Sequence, residues 1–272
     1  MKNHRFPVCI VGGGPVGLVA SGLLKRFGVP HSIIERRQYP TTHPQAHFLN
    51  ARSMEILQAY FPNLFIQALN SMPQSINWRY HILILTKRGT NFSNIVSFVR
   101  DFVYCHTLTD TESQFNRQDH FESTKHIEQF WSASPSNVVH LAQNKLEALM
   151  RNDSPSIDLT TFYKGYQVMD VVCEPSISSE HMNAASPIRV AIKGPDHKDI
   201  RWLTCDYLLA ADGANSFVRN ALCISLEGQS NMQTLLNVHF SCPGLRSLLN
   251  PRPAMLYFVF NEVITLNLKS TW

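Results

Sequence analysis

Apolar and polar positions follow two periods along this chain, and the changes of period mark its elements. Residues 8–11 are a short apolar, β-branched run that predicts a strand. Val16, Val19, Ala20, Leu23, Leu24 and Phe27 then recur on one helical face. Lys25 and Arg26 suit the last turn of that helix, and Gly28 followed by Pro30 stops it. Residues 31–34 predict a second strand, closed by Glu35. Asn50 is an N-cap candidate for a helix carrying Met54, Leu57 and Phe61 on one side. Residues 81–85 predict a strand with a turn at Arg88-Gly89, whereas 105–125 are polar, lack a sustained period and read as a long loop. From about residue 136, Ala142, Leu146, Leu149 and Met150 again take helical spacing. Strands are expected at 167–172, 189–193, 201–204 and 206–211. Further β-like runs at 235–240, 255–260 and 263–268 would begin a second sheet.

The first strand–helix–strand unit carries a chemical signature. Gly12, Gly14 and Gly17 follow the spacing G-x-G-x-x-G where a strand must turn into a helix. Gly12 permits the tight turn, Gly14 lets a diphosphate approach the backbone, and Gly17 lets the helix pack close to the strand. Pro15 and Val16 open the helix, whose first-turn N–H groups and positive dipole end suit an anion. Glu35 stands 18 residues after Gly17, where an acid accepts from the ribose hydroxyls of an adenosine. The alternative is an ordinary glycine turn, which strand, helix and acid together argue against. Arg36 reads either as a cover for adenine or phosphate or as a solvated charge, and Arg37 as a solvated charge. Asp212-Gly213 ends the last strand before 220. An acid there either faces a ligand at the carboxyl edge of a parallel sheet or caps the next helix. Gln143, by itself, reads as a solvent-facing polar residue.

Composition narrows the classes. With 272 residues, 44% hydrophobic and 16% charged, the chain can bury a substantial core. Net charge is +4 with no long basic run, so no nucleic-acid partner is expected. No apolar stretch reaches the ~20 residues of a membrane-spanning helix. The expected first strand leaves no room before it for a cleaved secretory signal. The 6 cysteines contain no C-x-x-C pair and read as reduced, mostly buried thiols of an intracellular, cytoplasmic protein, with an organelle left open. His43 and His47 are four apart, but Pro44 breaks the helix a metal pair would need, so no metal is expected.

Several of these segments together resemble the class A flavin-dependent aromatic monooxygenases, the group of p-hydroxybenzoate hydroxylase and phenol hydroxylase. The resemblance is carried by the glycine fingerprint with Glu35 and Arg36; by Gln45-Ala46, Leu49 and Arg52-Ser53-Met54-Glu55-Ile56-Leu57; by Gln143 with Leu146-Glu147; and by Asp212-Gly213-x-x-Ser216-x-x-Arg219. It covers about residues 7–222. It implies an α/β fold: a Rossmann-type, GR2-like FAD-binding domain over 1–222, with an excursion at about 76–134, followed at 223–272 by the start of a substrate-binding β-sheet domain. It implies FAD as cofactor and NAD(P)H as reductant. Gly12, Gly14, Pro15, Val16, Gly17, Glu35, Arg36, Gln45, Arg52, Gln143, Asp212 and Gly213 would contact the cofactor. A flavin hydroperoxide would hydroxylate a small phenolic or polyketide-like aromatic, with oxygen as co-substrate, and a homodimer is left open. No catalytic base is assigned; Tyr257 and His239 read as packing residues. Relatives continue beyond the substrate sheet into a Gly-Asp motif, so the chain is expected to be C-terminally incomplete. The alternative is a non-catalytic fragment or splice product that binds FAD weakly or not at all.

Overall fold

The computed structural model describes residues 4–43, 45–71, 80–85, 91–96, 101–108, 112–119, 129, 132–136, 139–152, 159–173, 187–196, 200–230, 244, 256–260 and 265–269. In chain order the first elements are β1 (His4–Val11), α1 (Pro15–Arg26), β2 (His31–Glu35), β3 (Phe48–Leu49), α2 (Ala51–Tyr60) and α3 (Pro62–Asn70). Then come β4 (Tyr80–Leu85), β5 (Asn91–Val96), β6 (Asp101–Cys105), β7 (Gln114–Asp119), β8 (Val139–His140) and α4 (Gln143–Asn152). The last are β9 (Thr160–Lys164), β10 (Gln167–Cys173), β11 (Ile188–Lys193), β12 (Ile200–Ala210), α5 (Phe217–Ala221), β13 (Leu256–Phe260) and β14 (Thr265–Lys269). These elements form two compact units, one of Met1–Gln45 with Gln143–Leu235 and one of Ala46–Ala142 with Leu236–Trp272.

The first unit is built on a six-stranded sheet in the order β10-β11-β12-β1-β2-β9. β12, β1, β2 and β9 run parallel, while β10 and β11 complete the sheet as antiparallel strands. β1 therefore lies between two parallel neighbours, and its residues Cys9, Ile10 and Val11 are buried, as a strand covered on both faces requires. Val11, Ile34, Val190, Ile192, Leu203 and Val218 belong to one core cluster. β1 starts at His4 rather than near Val8, because pairing with β12 already begins at His4 and Leu203. β12 is one continuous strand, not the two expected at 201–204 and 206–211, since the ladder to β1 runs unbroken past Cys205 to Val8–Val11.

The inward face of α1 also differs from the apolar pattern. Gly17, Leu18 and Ser21 are its buried residues, whereas Val16 is 69% and Phe27 68% exposed. The glycine decides this. A Cβ at Gly17 would lie 1.9 Å from the carbonyl oxygen of Gly12, so this bare position is where the helix touches the end of β1. His31 is buried beneath α1. Its Nδ1 donates to the Val29 carbonyl at 2.9 Å, which leaves Nε2 to accept from Ser21 Oγ at 2.7 Å and Thr160 Oγ1 at 3.1 Å. Burial holds its pKa below the ordinary histidine value, and the nearby Lys25 adds to that, against the opposing pull of the Val29 carbonyl.

In the second unit β14-β13-β6-β7 form a four-stranded sheet, with β13 parallel to β6. The expected long loop at 105–125 contains β7; its pairing to β6 holds a polar strand that its own sequence does not announce. Val103, Cys105, Tyr257 and Val259 pack on one face, so Tyr257 is a core residue as anticipated. The helix expected from about 136 begins only at Gln143. Residues 139–140 pair instead with 48–49, and the Leu141 N–H continues the ladder to the His47 carbonyl at 2.9 Å. Asn50 caps α2 as expected, accepting from the Ser53 N–H at 2.8 Å, and Met54 and Leu57 are buried. Of the described cysteines, Cys9, Cys105 and Cys205 are buried and Cys173 and Cys223 are exposed, so most are buried as expected. The turn at Arg88-Gly89, the run at 235–240, His239 and Cys242 lie outside the described residues.

Candidate functional site

Parallel register brings three strand ends of the first unit level with one another. Val11 pairs with Ala210 on one side and with Ile34 on the other. The chain leaving β1 is then pinned from both sides. The Gly12 N–H donates to the Ile34 carbonyl at 2.8 Å, and the Ala211 N–H donates to the Val11 carbonyl at 2.7 Å. Open parallel sheets bind ligands at this edge. Here a cleft of about 820 Å³ lies along it.

The glycine loop floors that cleft. Gly12 has φ +106°, and a Cβ on it would lie 2.3 Å from the Ala211 carbonyl oxygen. Gly12 and Gly17 are thus demanded by the protein's own backbone. Gly14 is different. Its φ of −78° and ψ of −174° suit any residue, and a Cβ there would meet no atom within 4 Å. The space in front of Gly14 belongs to the cleft. Gly14 is also the N-cap of α1 and makes no side-chain capping bond, with Pro15 in the first turn. Helix N–H groups in that turn lack intrahelical acceptors, so the loop offers them to whatever the cleft holds. The exposed Val16 lines the cleft here.

Glu35 ends β2 at the cleft. Its Oε2 accepts from the Gly13 N–H at 2.6 Å and its Oε1 from the Arg37 N–H at 2.8 Å. One carboxylate therefore clamps the glycine loop and the turn after β2, and each oxygen keeps a further lone pair. Arg36, Arg37 and Lys164 line the same region, Lys164 standing opposite Glu35 in the β2–β9 register. On the other side of β1, Asp212 and Gly213 line the cleft after β12. Asp212 also supports the start of α5, whose N-cap is Ser216: Oδ1 accepts from Ser216 Oγ at 2.6 Å, and Oδ2 from the N–H groups of Phe217 at 2.7 Å and Val218 at 3.3 Å. Both readings of that acid thus have a geometric basis. Gly213 takes φ +84°, which favours glycine at this turn.

Gln45 and Gln143 meet in the cleft, with Gln143 Nε2 3.5 Å from Gln45 Oε1. Gln143 is not simply solvent-facing; it donates to Glu147 Oε1 at 2.9 Å. Arg52 belongs to the second unit, on α2, where it pairs with Glu55 at 2.8 Å. Sequence reading missed several charged cleft residues: Lys25, Lys164 and Arg37, the last read as a solvated charge, and also Glu147 and Arg151. Glu147 is a carboxylate only 4% exposed, and Arg151 pairs with it at 2.8 Å while also reaching the Gly13 carbonyl at 3.3 Å. The signal was present in the spacing 143–147–151, since residues four apart share one helix face.

The donor set suits an elongated anionic ligand. Five basic residues (Lys25, Arg36, Arg37, Arg151, Lys164) and three acidic ones (Glu35, Glu147, Asp212) line the cleft. An anion in the cleft would meet the open backbone at Gly14, and a hydroxyl-bearing group would meet the carboxylate of Glu35. A ligand spanning from β2 to β12 would pass Glu35, the glycine loop and Asp212 in that order.

A family model described as FAD binding domain matches residues 5–266. The chain is 26% identical over 259 residues to 2,4-dichlorophenol 6-monooxygenase of Cupriavidus pinatubonensis, covering 93% of this chain and 36% of that protein. It is 23% identical over 266 residues to tetracenomycin A2 monooxygenase-dioxygenase of Streptomyces glaucescens, covering 96% of this chain and 42% of that protein. The chain therefore spans well under half the length of either relative. Its fold is similar to that of the flavin-dependent monooxygenase PieE, solved in complex with FAD and substrate, with a TM-score of 0.75 and 22% identity. That match covers 100% of this chain and 42% of the other. Among the described residues, no helix is long and apolar enough to cross a membrane.

Proposed function

Since the chain belongs to the FAD binding domain family, we propose that its first unit holds FAD along the carboxyl edge of the six-stranded sheet. We take the protein to act as an NAD(P)H-dependent monooxygenase of a phenolic or polyketide-like aromatic. The observation that carries the reading is the combination at one cleft of a glycine whose missing Cβ faces open space, a helix first turn and a carboxylate closing the neighbouring strand. The names of the relatives support the aromatic substrate class. The second unit, with its four-stranded sheet, is the proposed substrate-binding domain.

When bound, FAD supplies the electron transfer from nicotinamide and the activation of oxygen. The chain's own residues bind and orient it. Glu35 accepts from the ribose hydroxyls while keeping the Gly13 loop in place. The first turn of α1 meets the diphosphate with its N–H groups. Gln45 and Gln143 present amides, and Asp212 a carboxylate, towards the other end of the ligand. Arg52 stays a proposed cofactor residue on the resemblance alone. An intracellular, cytoplasmic setting accords with the free cysteines among the described residues, and a homodimer is an expectation that the oligomeric state of the purified chain would test.

The test is direct. The purified 272-residue chain is titrated with FAD, following the visible spectrum and the quenching of flavin fluorescence. Saturable binding with a shifted flavin spectrum is expected. NAD(P)H consumption that rises with an added phenol and yields a hydroxylated product is expected of the active protein. A folded chain that leaves the FAD spectrum and fluorescence unchanged refutes the reading.

A further inference from the structure

One face of α4 presents Gln143, Glu147 and Arg151 to the cleft at intervals of four. The three are chained together. Gln143 Nε2 donates to Glu147 Oε1 at 2.9 Å, and Arg151 Nη2 donates to Glu147 Oε2 at 2.8 Å. The same Arg151 nitrogen donates at 3.3 Å to the carbonyl of Gly13, the residue just before the N-cap of α1. Glu147 is buried, and a buried carboxylate is costly unless paired. Its pairing directs Arg151 to one place, the glycine loop.

That place is unusual for a cation. Positive side chains are favoured at the C-terminal ends of helices and disfavoured at the positive N-terminal end. α1 obeys the rule with its own charges, since Lys25 and Arg26 stand in its last turn. Arg151 is brought to the opposite end by another helix. Two positive features facing one open space are reconciled by an anion between them. A guanidinium also has five N–H donors, more than these two bonds use.

We propose that Arg151, held by Glu147, is a positioning residue for the cofactor diphosphate. It fastens the Gly13 carbonyl so that the N–H groups of the loop and first turn aim into the cleft, and it adds positive charge beside them. Glu147 aligns the guanidinium, and Gln143 aligns Glu147. This rests on the reading of the cleft as a FAD site.

The experiment uses the full chain as wild type, Arg151→Gln, Arg151→Lys and Glu147→Gln. FAD and ADP are titrated at low and at high salt, and the ligand-free chains are melted in parallel. Arg151→Gln should weaken FAD and ADP binding roughly tenfold at low salt and flatten its salt dependence. Arg151→Lys should keep the salt dependence but recover affinity only in part, because a point charge replaces the fork. Glu147→Gln should weaken binding less than Arg151→Gln. Arg151→Gln binding FAD and ADP like wild type, with the same salt slope, overturns the proposal alone, most plainly if its melting point has fallen, since Arg151 is then only a strut. Should Arg151→Gln not fold, full affinity in Arg151→Lys overturns it equally. A wild-type chain that binds neither FAD nor ADP overturns the cleft reading itself, and this proposal with it.

Discussion

One methyl group, added at Gly17 or at Gly14, should separate folding from ligand binding. At Gly17 a Cβ would sit 1.9 Å from the Gly12 carbonyl oxygen, more than 1 Å inside the 3.0 Å that real Cβ contacts keep. The obstacle is backbone, itself held by the Gly12 N–H bond to Ile34 at 2.8 Å, so α1 must retreat from β1. Overpacking of this kind costs about 1–3 kcal/mol, towards the upper end against fixed backbone, and the better helix propensity of alanine returns about 1. Gly17→Ala should thus lose about 2 kcal/mol, or roughly 4–8 °C in Tm. At Gly14 the backbone angles suit alanine and no atom lies within 4 Å. A weaker N-cap is offset by the lower entropy of the unfolded chain, and the net change should stay within about 0.5 kcal/mol. The new methyl nevertheless enters the cleft, so Gly14→Ala should weaken FAD binding roughly tenfold through lost hydrogen bonds to the diphosphate. Thermal melting of the ligand-free chains and FAD titration well below Tm provide the two readouts. Equal losses of Tm in the two variants, or wild-type FAD affinity in Gly14→Ala, would refute the reasoning.

Other outcomes follow from particular contacts. Glu35→Ala should weaken FAD binding by roughly tenfold or more, since it removes a charged acceptor for ribose and for the Gly13 N–H; Glu35→Gln should retain part of it, and unchanged affinity in a titration of the alanine variant would exclude that ribose site. Asp212→Ala should cost about 1 kcal/mol by taking the acceptor from the Phe217 and Val218 N–H groups while the Ser216 cap of α5 remains, with Asp212→Asn recovering most of it in urea unfolding; an alanine variant as stable as wild type would mean that these bonds are unimportant. His31 has a lowered pKa in the folded state, so the stability of its neutral form is fully present above the unfolded value near ~6.5 and is lost as pH falls through the folded value. Unfolding free energy measured from pH 8 towards pH 5 should therefore fall more steeply, by up to ~1.4 kcal/mol per pH unit, in wild type than in His31→Gln; parallel curves would show that His31 does not contribute.

Much of the site was legible in the chain because its chemistry is local. The glycine spacing, the apolar strand before it and the acid that ends β2 lie within the first 35 residues. Backbone sterics at Gly12 and Gly17 leave few alternatives. Asn50 announced its cap for a similar reason, since its acceptor and the Ser53 donor are three residues apart. The limits of elements were less legible. The expected break in β12, the polar strand β7 and the late start of α4 were decided by ladders to distant strands.

By itself, the sequence determined that an apolar strand, a glycine turn, a helix and a carboxylate would come in succession, because each depends on neighbours a few residues away. Only the tertiary structure decided that Ser21 turns inward while Val16 and Phe27 stay exposed, since Ser21 finds its partner in the buried His31 of β2. It alone brought Asp212 beside the glycine loop, through a parallel register spanning some two hundred residues of chain. It alone carried Arg151 from another helix to the Gly13 carbonyl. Burial and long-range pairing give those residues their roles, and neither is written in local spacing.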